Sequence, residues 1–199
     1  MNFQFNGVNY FLTVMQLLVT AVIIVLVVGI AIAAYVERRR TKTLAFRNRF
    51  GSEYEREIQK QGSRRHAESK LADRQERVGA LEIRVLGVTE QERFVTEWHT
   101  VQSRFVDHPR MAVTEADDLI NALLEAKGYP ESSFEQRAND LSVNYPRIMD
   151  SYRAAHAVAV RLGHVEATTE ELRTAMIKYR NVFDELVLAR MDRHQATAA

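Results

Sequence analysis

The sequence predicts an all-α protein: a single N-terminal transmembrane helix, a charged helical stalk, and a cytoplasmic antiparallel bundle of about five helices. Three observations carry this. The first 36 residues contain no Asp, Glu, Lys, Arg or His. Six basic residues crowd positions 37–49. Beyond residue 88, apolar residues recur at helical spacing between Pro and Gly breaks, with no second strand signal to pair with the single short alternation at Glu82–Val88.

The run from Phe11 to Val36 is almost wholly apolar; its interior polar side chains are Thr13, Gln16 and Thr20. About 20 helical residues cross a hydrocarbon core, so this run suffices with some length left for tilt. Lipid offers no partner for open backbone groups, which makes the span helical despite its many Val and Ile residues. Tyr10 and Phe11 at one end and Tyr35 at the other suit the two interfaces. Residues 1–10 form a short external N-terminus in this reading. Ala31-Ile32-Ala33 has the form of a signal-peptidase site. Against cleavage stand the missing basic leader, an apolar core longer than the roughly 7–15 residues of a signal peptide, and the arginines that follow at once. Gly29 and Ala33 have the spacing that lets two spans approach closely, a route to a homo-oligomer.

Residues 37–51 form a basic juxtamembrane segment. Arg38, Arg39, Arg40, Lys42, Arg47 and Arg49 are its membrane-surface residues, matched to a bilayer with anionic headgroups. Basic flanks stay on the cytoplasmic side, so the N-terminus faces outward and the remaining chain lies in the cytoplasm. Leu44, Phe46 and Phe50 are interleaved and suited to the interface.

Over 52–80 the chain is dense in both charges. Ser52 is placed to cap a helix, and Glu53/Arg56, Glu57/Lys60 and Asp73/Arg77 fall at helical spacing. Apolar residues are too sparse for a heptad seam, so the expectation is a mostly solvated stalk with a weak joint at Gly62-Ser63. Glu82–Val88 is expected to be an extended connector whose Ile83, Val85 and Leu86 pack on the helices.

The bundle domain is placed at 81–192. Thr89 with Glu92 reads as a capping box, followed by the stripe Phe94, Trp98, Val101, Phe105. Pro109 opens the next helix, with Val113, Ala116, Leu119, Ile120, Leu123 and Leu124 inward and Gly128-Tyr-Pro130 as its stop. Ser132 or Ser133 caps a short helix bearing Phe134, Ala138 and Leu141. Pro146 opens another, with Tyr152 and Ala155 on its apolar face and Gly163 as its stop. Thr168 with Glu171 is a second capping box before the stripe Leu172, Ala175, Met176, Tyr179, Phe183, Leu186 and Val187. Residues 193–199 read as a disordered tail.

Chemistry is harder to find. With no cysteine there is no thiol nucleophile, thiolate metal site or iron–sulfur cluster. His66, His99, His108, His156, His164 and His194 form no i,i+4 pair, and no phosphate-binding, dinucleotide or nucleophile-elbow motif occurs. Asp117-Asp118 with Glu115 suits the first turns of a helix better than a metal site. No catalytic, cofactor-binding or metal-binding residue is assigned and no cofactor is expected. The 14 basic and 19 acidic residues from Leu81 onward disfavour nucleic acid as a partner. Two Pro-terminated loops, Arg104–Pro109 and Ala138–Pro146, carry a candidate rim for a protein partner: Asp107, His108, Asn139, Asp140 and Tyr145. The same residue types commonly cap turns.

The segments Arg49-Phe-Gly-Ser-Glu-Tyr54, Gln102-Ser-Arg-Phe-Val-Asp-His-Pro109, Gly128-Tyr-Pro130 and Asp140-Leu-Ser-Val-Asn-Tyr-Pro146, ending in Tyr179-Arg-Asn-Val-Phe183, resemble an uncharacterised bacterial protein family in kind and order. The resemblance covers about residues 46–188. It implies a bacterial source, hence an inner (plasma) membrane location, and no activity to carry over. The functional expectation is therefore a single-pass, membrane-anchored tether or adaptor that recruits a protein. Its rival is a membrane-tethered enzyme or small-ligand sensor with a site inside the bundle.

Overall fold

The computed structural model describes residues 5–162 and 167–188, with side chains from Gln16 onward except Arg39 and Leu188. Residues 1–4, Gly163, His164, His194 and the tail 193–199 lie outside the described residues, as do the side chains of Tyr10, Phe11 and Thr13. The described chain is all-helical, without a strand. It divides into two compact units, 1–46 and 47–199.

The first unit consists of most of one helix, α1 (Phe5–Phe50). Its described large apolar side chains from Leu17 to Val36 are all exposed, on every side of the helix. It is the one described helix long and apolar enough to cross a membrane. The Thr20 hydroxyl donates back to the Leu17 carbonyl at 2.9 Å, so even this polar group is satisfied within the helix. Helical geometry continues without a break through the basic stretch to Phe50.

The second unit holds α2 (Ser52–Gln61), α3 (Arg64–Gly79), α4 (Val88–Arg104), α5 (Pro109–Ala126), α6 (Phe134–Asn144), a 3-10 turn (Pro146–Ile148), α7 (Met149–Arg161) and α8 (Thr169–Leu188). Helix α5 packs on α4, α7 and α8; α7 also meets α6 and α8. The main core gathers where these faces meet: Trp98 from α4, Ile120 and Leu124 from α5, Leu141 from α6, Tyr152 from α7, and Tyr179 and Phe183 from α8. Trp98 stacks on Phe183 with ring centroids 4.9 Å apart. At roughly 1.5–3 kcal/mol for each fully buried large apolar side chain, these faces hold the helices together.

Local signals set the helix ends. Pro109 opens α5 and Pro146 opens the turn into α7. Ser133 caps α6, its hydroxyl accepting the Gln136 N–H at 3.4 Å. At α8 the capping box is complete: the Thr168 hydroxyl accepts the Glu171 N–H at 3.2 Å, and the Glu171 carboxylate accepts the Thr168 N–H at 2.9 Å. Gly62 ends α2 in a left-handed conformation, making a real break of the expected joint. Gly128 stands at φ +93°, and a Cβ there would come within 2.3 Å of the Glu82 carbonyl oxygen. The connector 82–87 runs that close because the Arg84 N–H donates to the Lys127 carbonyl at 2.9 Å.

Three expectations are corrected. Helix α4 starts two residues before the Thr89/Glu92 box: Gly87 is the cap, and Glu90 accepts the Gly87 N–H at 3.0 Å. Ser52 does not cap α2; Gly51, with φ +53°, stands before it. Val85 does not pack inward and stays exposed, while Leu86 is buried.

The largest departure concerns residues 52–80. Instead of a solvated stalk, α2 and α3 pack on each other, α3 packs on α6, and α2 meets the 3-10 turn. Their buried face consists of Tyr54, Ala67, Leu71 and Val78 together with Glu53, Glu57 and Arg74. Sparse apolar residues suffice because buried charges complete this face.

Candidate functional site

Two polar constellations and one exposed basic stretch stand out in the described chain. The first joins the α2–α3 pair to the rest of its unit. Arg153 on α7 reaches Glu53 with two prongs, Nε to Oε1 and Nη2 to Oε2, each 3.1 Å. Arg74 on α3 donates to Glu57 at 2.9 Å and to the Ser142 hydroxyl on α6 at 3.1 Å. Arg77 donates to Asp140 at 2.6 Å. Glu53, Glu57, Arg74 and Asp140 are all buried. Buried ions require such partners, because the desolvation cost of each is several kcal/mol. The helix-spaced pairs expected from the sequence do not form: Glu53 and Glu57 turn to Arg153 and Arg74, and Arg77 turns from Asp73 to Asp140. Tyr54 sits beside this network and donates to Glu68 at 3.0 Å; burial first, then the Glu68 carboxylate, raise its pKa above the usual phenol value.

The second constellation lies where α5, α6, α7 and α8 converge. Asp117 accepts a 2.7 Å bond from the Tyr179 hydroxyl and faces His156 Nδ1 at 3.0 Å. The carboxylate fixes the proton on Nδ1 when the ring is neutral. The imidazole lies flat on Phe134, with centroids 3.6 Å apart. One turn along α5 and α7, Asn121 accepts from Arg137 and, at 3.5 Å, from the Tyr152 hydroxyl. Burial pushes the Tyr152 hydroxyl up to about 12, and burial followed by Asp117 drives Tyr179 higher still. Both hydroxyls therefore keep their protons near neutral pH and donate them, Tyr179 to Asp117 and Tyr152 to Asn121. Adjacent spacing separates Asp117 from Asp118: Asp117 turns inward, and Asp118 stays largely exposed beside Glu115, its pKa raised first by the partial desolvation of its place in the grooves and then by Asp117 and Glu115.

Two shallow grooves flank α5. One, of about 410 Å³, lies between α4 and α5 and is lined by Glu97, Val101, Arg104, Glu115, Asp118 and Leu119 among others. Arg104 donates to Glu115 there, and the other carboxylate oxygen of Glu115 has no partner. The second, of about 290 Å³, runs past Asn121, Tyr129, Pro130 and Arg137. Neither is lined by His156. Among the described residues no group of three or more His, Asp or Glu is placed to hold a metal ion.

The rim expected from the two Pro-terminated loops does not form a single surface. Asp107 and His108 are exposed between α4 and α5, and His108 is the cap position of α5. Asp140 is buried by Arg77 and Gln136, and Tyr145 is buried with Lys127 near its ring. Asn139 is half-buried on α6. Asp140 and Tyr145 are thus structural residues, for the reason that a carboxylate and a phenol each found an internal partner. Sequence reading also passed over Lys127, which is buried and donates to the Leu186 carbonyl at 2.9 Å, in the last turn of α8. Only its position one residue before Gly128 hinted at a helix-end role.

The basic stretch keeps its charges outward. Arg38, Arg40, Lys42, Arg47 and Arg49 are exposed; among these five described side chains Arg47 forms an ion pair, with Glu55 at 3.5 Å, and the Arg39 side chain lies outside the described residues. Compared with known proteins, the chain matches no family model, no curated protein and no solved structure.

Proposed function

We propose that this protein is a single-pass membrane anchor carrying an antiparallel helical bundle, and that it works as a tether or adaptor holding a protein partner at the membrane. The observation that carries the reading is α1. Its exposed apolar surface runs unbroken from Leu17 to Val36 and passes directly into a basic stretch, with a compact helical unit following in the same chain. An exposed apolar surface of that length is stable only in lipid or against other protein. The basic flank supports a topology with the N-terminus outside and residues 47–188 on the cytoplasmic side of a bacterial plasma membrane.

A small-ligand or enzymatic role is the second reading. It is favoured by the Asp117–His156 pair, in which a carboxylate orients an imidazole as in many proton-transfer sites. Against it, neither groove is lined by His156.

Single cysteines placed at Asn2 and at Ser151 test the topology, since the chain has none of its own. An impermeant thiol reagent on intact cells should label the first and leave the second until the membrane is opened. The reverse pattern rejects the anchor as drawn. Crosslinking in cells, against a control carrying only residues 1–50, should give adducts that depend on the helical unit; identical adducts from both reject the adaptor role.

A further inference from the structure

The anchor proposed above leaves open what the basic stretch of α1 contacts. Its residues split into two groups. At about 100° per residue, Arg40 lies about 200° around the helix from Arg38, while Lys42 lies about 40° from it. The Arg38, Arg40 and Lys42 side chains therefore leave opposite sides of α1, and all three are exposed and make no ion pair among the described residues. A helix lying in the interface plane needs one apolar and one charged face. This stretch has no such division. It suits a helix that passes upright through a layer of negative charge.

The axial length agrees. Arg38 to Lys42 spans about 6 Å of helix. The headgroup layer on one side of a bilayer is roughly 5–8 Å deep. Arg47 follows five residues later, about 7 Å beyond Lys42, and belongs to the second unit, where Glu55 takes its guanidinium.

We infer that Arg38, Arg40 and Lys42 form a ring that gathers anionic phospholipid headgroups around α1, and that Arg47 and Arg49 take no part in it. The inference rests on the membrane-anchor reading and adds to it a lipid preference and the residues that set it. Each basic side chain near a charged surface contributes about five-fold to local partitioning of an anionic lipid. Salt weakens the effect with a Debye length of about 10 Å at 0.1 M.

The test uses the full chain with Val36→Cys as its single thiol, labelled with a fluorophore, in vesicles of phosphatidylcholine with one quarter phosphatidylglycerol. Flotation reports insertion, and Trp98 emission reports the folded second unit. Quenching by head-group spin-labelled phosphatidylglycerol is compared with quenching by spin-labelled phosphatidylcholine. The expected result is a preference for phosphatidylglycerol of about five-fold or more, reduced at least about five-fold by Arg38→Gln/Arg40→Gln/Lys42→Gln, which leaves only Arg39 at that level, and kept by Arg47→Gln/Arg49→Gln. Inserted protein with no lipid preference, or with a preference lost equally in both variants, overturns the ring while leaving the anchor standing. Failure to float even with neutral vesicles overturns the anchor and the ring together.

Discussion

Arg153 grips Glu53 across one hundred residues of chain, two nitrogens on two carboxylate oxygens at 3.1 Å each. The contact is buried on both sides, with side-chain exposures of 9% and 2%. It fastens the start of α2 to α7, and with Arg74 and Arg77 it turns a charged segment into part of the second unit.

Removing one partner of this pair leaves the other buried with only a longer ionic contact, Arg153 with Glu135 at 3.4 Å or Glu53 with Arg74 at 4.0 Å. Arg153→Met or Glu53→Gln should each destabilise the second unit by about 3–5 kcal/mol, and the double variant by clearly less than the sum. Urea unfolding of the full chain in detergent, followed by Trp98 emission, measures this. Additive losses would show that the two groups do not interact.

Trp98→Ala should cost about 3–5 kcal/mol, because it removes a ring stacked on Phe183 and leaves a cavity between α4 and α8. Phe183→Ala should cost a similar amount, and the pair should be non-additive. Since Trp98 is the only tryptophan, circular dichroism is the measure here. An unchanged midpoint would remove Trp98 from the core.

Gly128→Ala should destabilise more than Gly62→Ala. Both glycines have positive φ, but only at Gly128 does a Cβ meet backbone, the Glu82 carbonyl. The Gly62 variant should lose about 1 kcal/mol from backbone strain alone. Relief of the Gly128 clash requires the 82–87 connector to move, which should break the Arg84–Lys127 backbone bond and expose the Arg84 amide to hydrogen exchange.

The α8 cap should be acid-labile. The Thr168 N–H, then Arg161, then the Thr168 hydroxyl hold the Glu171 carboxyl down to about 2, against an ordinary 4.5. A folded pKa below the unfolded one means that the stabilisation is complete above about pH 4.5 and disappears as pH falls toward 2. The melting temperature of Glu171→Gln should lie below that of the wild type at pH 7, and the gap should close toward pH 3. A gap constant with pH would mean that the charge on Glu171 is not what caps the helix.

Much of the helix pattern was legible because its signals act within one turn. Pro109, Ser133, Pro146 and the Thr168/Glu171 box each satisfy backbone groups beside them, whatever the rest of the chain does. The α4 start was misread by two residues because Thr89/Glu92 and Gly87/Glu90 offer the same spacing; Arg84, drawn near by the connector, holds Glu90 with two 2.7 Å bonds. The candidate rim was legible only as a set of polar residues near prolines. Asp107 and His108 stayed outside, whereas Asp140 and Tyr145 went in. Asp117 and His156 were each visible, but the 39-residue separation hid their pairing.

The residues alone determine an all-helical chain and one helix apolar enough for a bilayer, since both follow from local periodicity and from the cost of unpaired backbone in oil. Tertiary structure decides which charges leave water. Glu53 has Arg56 within a turn and Arg153 a hundred residues away; it is the distant guanidinium, largely buried on α7, whose planar fork meets both carboxylate oxygens at once. No window of sequence contains that competition.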